Sequence, residues 1–225
     1  MGYLSIGFTY HQRTASAKET LESKEAFERY AAARGITIQA YHADNGIFKV
    51  REWVEACEAK GQALTFAAVG AHHQNGKAEK GIRDRQDLAR TMLLHAAKRW
   101  PKAITANLWP YAVRHANDCI NATPNMQHPK KLCPLQLFNK TKVNINRKHW
   151  KPFGCPVYVL DQALQSGLPY HKWKPRARLG IYLGQSPIHN RNVALVLNLN
   201  TGHVSPQFHV KFDKGFHTLS QESPE

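Results

Sequence analysis

The sequence predicts an α/β domain followed by a small all-β module, and three observations carry that expectation. Strand-like and helix-like stretches alternate up to about residue 70, two long helical stretches follow, and beyond Phe153 the chain breaks into short apolar runs separated by Gly, Pro and Asn. With 225 residues, 42% apolar and 21% charged, the chain can bury a real core in one or two domains and is not a disordered tail.

Each element has a local reason. Tyr3 to about Thr14 is β-rich and reads as either one strand or a hairpin. From Ala15 to Arg34, Leu21, Phe27, Tyr30 and Ala31 recur at near-helical spacing, and Gly35 stands where a left-handed C-terminal residue is wanted. Ile36 to Ala43 alternates as a strand and delivers Asp44 to its C-terminal tip, where Asp44-Asn-Gly suits a turn. Residues 48–60 return to helical spacing through Val50, Trp53, Val54 and Cys57, and Leu64 to Val69 form a further strand, so strand, helix and strand suggest parallel pairing. A polar loop follows Gly70, then a helix from Lys77 to Trp100 closed by Pro101, then a helix from about Ile104 to Asn121. Residues 122–149 are rich in Pro, Lys and Asn and read as a basic linker. Val157–Leu160, Leu179–Leu183, Val193–Leu197 and Val204–Phe212 are strands of a module of four to five.

Charge narrows the function. Lys and Arg number 31 against 16 acids, a net +15, which favours a polyanionic partner: nucleic acid first, an anionic membrane surface second. No apolar run of membrane-spanning length and no secretory signal pattern is seen, so a soluble chain is expected. Cys57, Cys119, Cys133 and Cys155 form no C-x-x-C pair and read as reduced intracellular thiols, mostly buried.

Asp44 and Glu79 stand out as candidate metal ligands. They are 35 positions apart, at a strand end and in the first turn of a helix, so the intervening helix and strand allow them to meet at one sheet edge. Carboxylate oxygens there suit Mg²⁺ or Mn²⁺, and a pair of such ions serves phosphodiester chemistry. An ordinary Asp-Asn-Gly turn and a dipole-favoured Glu explain the same residues without any metal.

The segments Tyr41-His-Ala-Asp44-Asn-Gly46 and His73-Gln-Asn-Gly-Lys-Ala-Glu79 resemble the second Asp and the Glu of the Asp, Asp, Glu triad of retroviral and retrotransposon integrases. Phe153-Gly-Cys-Pro-Val-Tyr-Val-Leu, Trp173-Lys-Pro-Arg-Ala-Arg-Leu-Gly-Ile-Tyr-Leu-Gly184 and Asn198-Leu-Asn-Thr-Gly-His-Val look like the copia-type LTR retrotransposon family. The resemblance covers about Tyr3 to Phe216. It implies an RNase H-like core over residues 1–122, with a mixed sheet flanked by helices and its first strand missing, a basic linker over 123–150, and an SH3-like β module over 151–220. It also implies Mg-dependent DNA 3′-processing and strand transfer, with Asp44 and Glu79 as catalytic metal ligands of a two-ion site, DNA and further integrase chains as partners, and action in the nucleus.

The sequence departs from that family in one decisive place. No Asp precedes Asp44, so the first catalytic carboxylate is absent, the two-ion site is expected to be incomplete, and little or no strand transfer is expected from this N-terminally truncated form. By resemblance, Gln74, Asn75, Lys77, Lys80 and Arg83 would hold the DNA end, Arg83 one turn from Glu79 and able to fork onto a phosphate. Lys172, Trp173, Lys174, Arg176 and Arg178 form a basic and aromatic mixture suited to tracking a backbone and stacking a base. A solvated helix face accounts for Lys80 and Arg83 as well, a plain turn accounts for Gln74 and Asn75, and a strand edge with Trp173 in the module's core accounts for the second group. His72 and His73 read as loop residues beside DNA rather than zinc ligands. Two rival functions remain: a non-catalytic subunit pairing an exposed sheet edge with full-length integrase, and a nuclease recruiting Asp84 or Asp87 as the missing carboxylate.

Overall fold

The computed structural model describes residues 5–68, 75–126, 128–139, 150–189 and 192–220. The chain forms two compact units, one built from residues 1–84 and 124–142, the other from residues 85–123 and 143–225.

In the first unit, helix α1 (Ala17–Ala32) begins at Ser16, whose Oγ accepts from Glu19 N at 3.3 Å. Glu19 in turn accepts from the backbone N–H groups of Arg13 and Thr14, so two ends of the turn cap each other. The helix closes as the sequence predicts: Gly35 takes φ +68 and Ile36 N donates to Ala31 O. Strand β1 (Ala40–Ala43) pairs in parallel with β2 (Ala63–Phe66), Ala40 facing Ala63, and helix α2 (Arg51–Glu58) connects them after a short 3-10 turn at Ile47–Lys49. Helix α2 turns Trp53 and Cys57 inward.

Two expectations are corrected here. Residues 5–14 form no strand or hairpin; Phe8 instead sets its ring 5.4 Å from Phe27 and 5.3 Å from Tyr30 on α1, because aromatic burial outweighs β propensity where no neighbouring strand offers a ladder. The basic stretch after residue 122 is not all connection: α5 (Pro134–Asn139) lies in it, and Phe138 stacks on Tyr30 with centroids 5.8 Å apart.

The long helix α3 (Gly76–Arg99) gives its first turns to the first unit and the remainder to the second. The second unit joins that remainder and α4 (Trp109–Ala122) to an antiparallel sheet of β3 (Pro156–Leu160), β4 (Ala177–Gln185), β5 (Ala194–Asn198), β6 (Val204–Gln207) and β7 (Val210–Phe212), in the order β6-β5-β4-β3-β7. Strand β4 is buried on both faces. Ile181 and Leu183 pack with Phe153 against Ala89, Ala96, Trp100, Ile104 and Ala112 of the helical layer, while Tyr182 points the other way into Cys155, Val157, Val159 and Val196. That explains why Leu179 to Leu183 reads as a continuous apolar run rather than an alternating one. The short helices α6 (Gln162–Gln165) and α7 (His217–Ser220) complete the unit.

The α/β class that the sequence predicts is therefore observed, with a parallel β-α-β element and its helices, and an antiparallel sheet after it. Among the described residues no helix is long and apolar enough to cross a membrane. All four cysteines are free, and Cys57, Cys133 and Cys155 are buried.

Candidate functional site

Strand β1 ends at Ala43 and places Asp44 at its tip. The Asp44 Oδ1 accepts from Gly46 N at 3.2 Å, and Asn45 Nδ2 donates to Ala67 O at 2.6 Å, so the turn is tethered to the residue after β2. Glu79 lies in the first turn of α3, as the sequence predicts. Both carboxylates are exposed, and both line one cleft of about 690 Å³ in the first unit, together with Asn75, Tyr41, His42 and Ile82. Two acids separated by a helix and a strand are thus brought to one cavity.

Lys24 and Tyr41, which line that cleft, belong to a paired polar network that extends beyond it. Lys24, 3% exposed, donates from Nζ to Glu28 Oε1 and to Gln62 Oε1, each at 2.7 Å. Glu28 also accepts from Lys60 Nζ at 2.6 Å, Gln62 Nε2 at 2.8 Å and the Tyr41 hydroxyl at 2.9 Å. Burial pushes the Glu28 carboxyl upward, but the hydrogen bonds from Lys24, Lys60, Gln62 and Tyr41 outweigh it and bring its pKa down to about 2. Burial and the bond to Glu28 raise the Tyr41 phenol well above its usual value. This network ties α1, β1 and the end of α2 together. Sequence reasoning missed it: Lys24 and Glu28 are legible as an i, i+4 pair, but nothing local announces Lys60, Gln62 or Tyr41.

Asp44 and Glu79 are hard oxygen donors of the kind that Mg²⁺ accepts. Among the described residues, however, no group of three or more His, Cys, Asp or Glu converges to hold a metal ion. Two carboxylates would set two negative charges against the four positive charges of two dications, so the described residues do not fit the two-ion site that the resemblance implies.

The remaining site residues separate clearly. Lys77, Lys80 and Arg83 are exposed on the first turns of α3 and pair with no acid among the described residues, whereas Asn75 is half-buried at the cleft. Gln74, His72 and His73 lie outside the described residues. In the second unit the loop before β4 leaves Trp173 83% exposed, so this ring is not part of the module's core. Lys172 Nζ stands 5.4 Å from the centre of that ring and Lys174 Nζ 5.7 Å from the Tyr170 ring. Lys172, Lys174 and Arg176 are exposed, and Arg178 is half-buried.

No family model and no curated protein matches this chain. Among solved structures it is similar to the HTLV-2 integrase catalytic core domain in complex with magnesium, trimeric form, at 18% identity over 56% of this chain and 71% of that one, with a TM-score of 0.40. It is also similar to a chain of the simian T-cell lymphotropic virus intasome in complex with PP2A regulatory subunit B56 gamma, at 18% identity over 90% of this chain and 66% of that one, with a TM-score of 0.43.

Proposed function

We propose that this chain is the nucleic-acid-binding portion of a copia-type LTR retrotransposon integrase, a partial RNase H-like core with an SH3-like module, lacking strand-transfer activity of its own. The observation that carries the reading is the shared cleft: Asp44 and Glu79, the two residues that the resemblance marks as catalytic, line one cavity although 35 positions separate them. The net charge of +15 and the exposed Lys77, Lys80 and Arg83 on the helix of Glu79, which pair with no acid among the described residues, favour a phosphate backbone as partner. In this reading Asp44 and Glu79 are the side chains that would hold a divalent cation such as Mg²⁺ or Mn²⁺, and the cations of both units grip DNA. The chain associates with other integrase chains and acts in the nucleus, where its DNA lies.

The test is a binding titration of a labelled duplex across a salt series, alongside a strand-transfer assay with Mg²⁺ or Mn²⁺. We expect log K to fall linearly with log salt and no strand-transfer product above background. Product formation that Asp44→Asn abolishes would overturn the claim of inactivity, and affinity independent of salt would overturn nucleic-acid binding. One observation favours the rival reading of an interaction subunit: among the described residues β1 and β2 pair only with each other, leaving edges that another chain could extend. That association would resist salt, so the same titration separates the two.

A further inference from the structure

Arg178 differs from the other cations of its segment. Lys172, Lys174 and Arg176 stand in solvent, whereas Arg178 Nη1 is shielded and meets no hydrogen-bond acceptor among the described residues. A guanidinium keeps its proton and carries five donors, so a shielded N–H without an acceptor is costly until something arrives to accept from it. Arg178 lines a cavity of about 350 Å³ with the amide side chains of Gln162, Gln165 and Gln207, and among the described residues no carboxylate lines it. Gln165 Nε2 donates to Leu160 O at 2.7 Å and Gln207 Nε2 to Ser205 Oγ at 2.9 Å, which steadies two of the walls. A planar fork of donors in an acid-free cavity suits an anion with several acceptor oxygens, and a phosphate has that form.

The cavity is joined to the exposed tryptophan by the backbone. Asp161 N donates to Arg176 O at 2.9 Å, and Asp161 caps the short helix whose Gln162 and Gln165 line the cavity. On the other side of Arg176, Lys174 N donates to His171 O at 3.1 Å and the Tyr170 hydroxyl donates to Pro175 O, closing a turn that holds Trp173 out in water. An indole ring left in solvent, with cations on either side in sequence, has a face free for a base.

We propose that this edge of the second unit is a single-strand binding site, in which a backbone phosphate enters the Arg178 cavity and an unpaired base stacks on Trp173. The inference rests on the nucleic-acid reading above and adds a substrate class to it. A duplex keeps its base faces stacked on one another, so it offers Trp173 nothing without unstacking, and the site therefore selects single strands or frayed ends.

The test uses the full chain and two labelled probes, an oligothymidylate and a duplex of matched length, at fixed salt. The oligothymidylate should bind more tightly than the duplex. Trp173→Ala should weaken it by about tenfold or more, as stacking losses do, and leave the duplex affinity within about twofold. Arg178→Gln should weaken the oligothymidylate too and reduce its salt slope by about one. Because Arg178 is half-buried, its variant is read only where circular dichroism shows the fold retained; Trp173→Ala, altering an exposed side chain, decides the matter by itself. Equal affinity for the two probes, or an unchanged oligothymidylate affinity in Trp173→Ala, would overturn the single-strand site while leaving nucleic-acid binding in place. Failure of both probes to bind would remove the nucleic-acid reading and this site with it.

Discussion

Gly154→Ala tests whether the antiparallel sheet and the helices α3 and α4 share one core. Gly154 takes φ +76 just before β3, and a Cβ added there would lie 2.5 Å from Ala96 Cβ and 3.2 Å from Ile104 Cδ1. Holding a non-glycine residue in that backbone region costs about 1–2 kcal/mol. Forcing a methyl against Ala96, which is fully buried on α3, costs about 1–3 kcal/mol more through overpacking. The expected loss is the combination, roughly 2–5 kcal/mol, read as a lower denaturation midpoint at unchanged m. Adding Ala96→Gly removes the atom in the way at a helix-propensity cost of about 1 kcal/mol. The two changes should therefore couple by about 1–2 kcal/mol, while the backbone cost persists. A loss below about 0.5 kcal/mol for Gly154→Ala, or simple additivity in the double variant, would refute the shared core.

Three further outcomes are expected. Ile181→Ala, at a fully buried position on β4, should cost about 2–5 kcal/mol and lower the melting of helix and sheet signals together; separate transitions would contradict the packing. Glu28→Gln leaves the buried Lys24 ammonium without its counter-charge and should cost about 3 kcal/mol at neutral pH in denaturant titrations. Because the folded Glu28 pKa of about 2 lies below its ordinary 4.5, its contribution is complete above about pH 4.5 and is lost as pH falls towards 2, and a flat difference between wild type and variant across that window would refute the pairing. His115 is buried beside Trp150, Phe153 and Tyr182, and burial pulls its pKa from 6.5 down to about 4. Its contribution is therefore full above about pH 6.5 and declines as pH falls towards 4. Burial raises Asp118 on the same helix to about 6, giving it the opposite slope, so the difference between wild type and His115→Phe isolates the histidine.

Much of the fold was legible because its causes are local. The Ser16 cap, the Gly35 stop, the strand that ends at Asp44, the extent of α3, the end of α4 and the apolar run of β4 each follow from spacing, capping or burial within a few residues, whereas α4 starts at Trp109, after a 3-10 turn at Ala106–Leu108, and not at Ile104. The N-terminal strand was misread because β propensity describes a surface that needs a partner strand, and Phe8 finds α1 instead. The helix α5 was hidden because its stacking of Phe138 on Tyr30 joins distant parts of the chain. Of the candidate site, Asp44, Glu79 and the exposed cations were readable as residue types in position. Whether Trp173 stood inside or outside was not, since a tryptophan between lysines reads the same in an exposed loop as on a strand facing the core.

By itself the sequence determined the α/β class, the strong positive charge, the positions of the two acids and the absence of any Asp before the first of them. These are properties of composition and of neighbours in the chain, and no folding is needed to state them. Only tertiary structure decided that Asp44 and Glu79 line the same cleft, that Glu28 gathers Lys24, Lys60, Gln62 and Tyr41 around it, and that α4 joins the β sheet in one core. Each of these depends on which surfaces exclude water together, and that is settled by packing between segments whose separation in sequence carries no local mark.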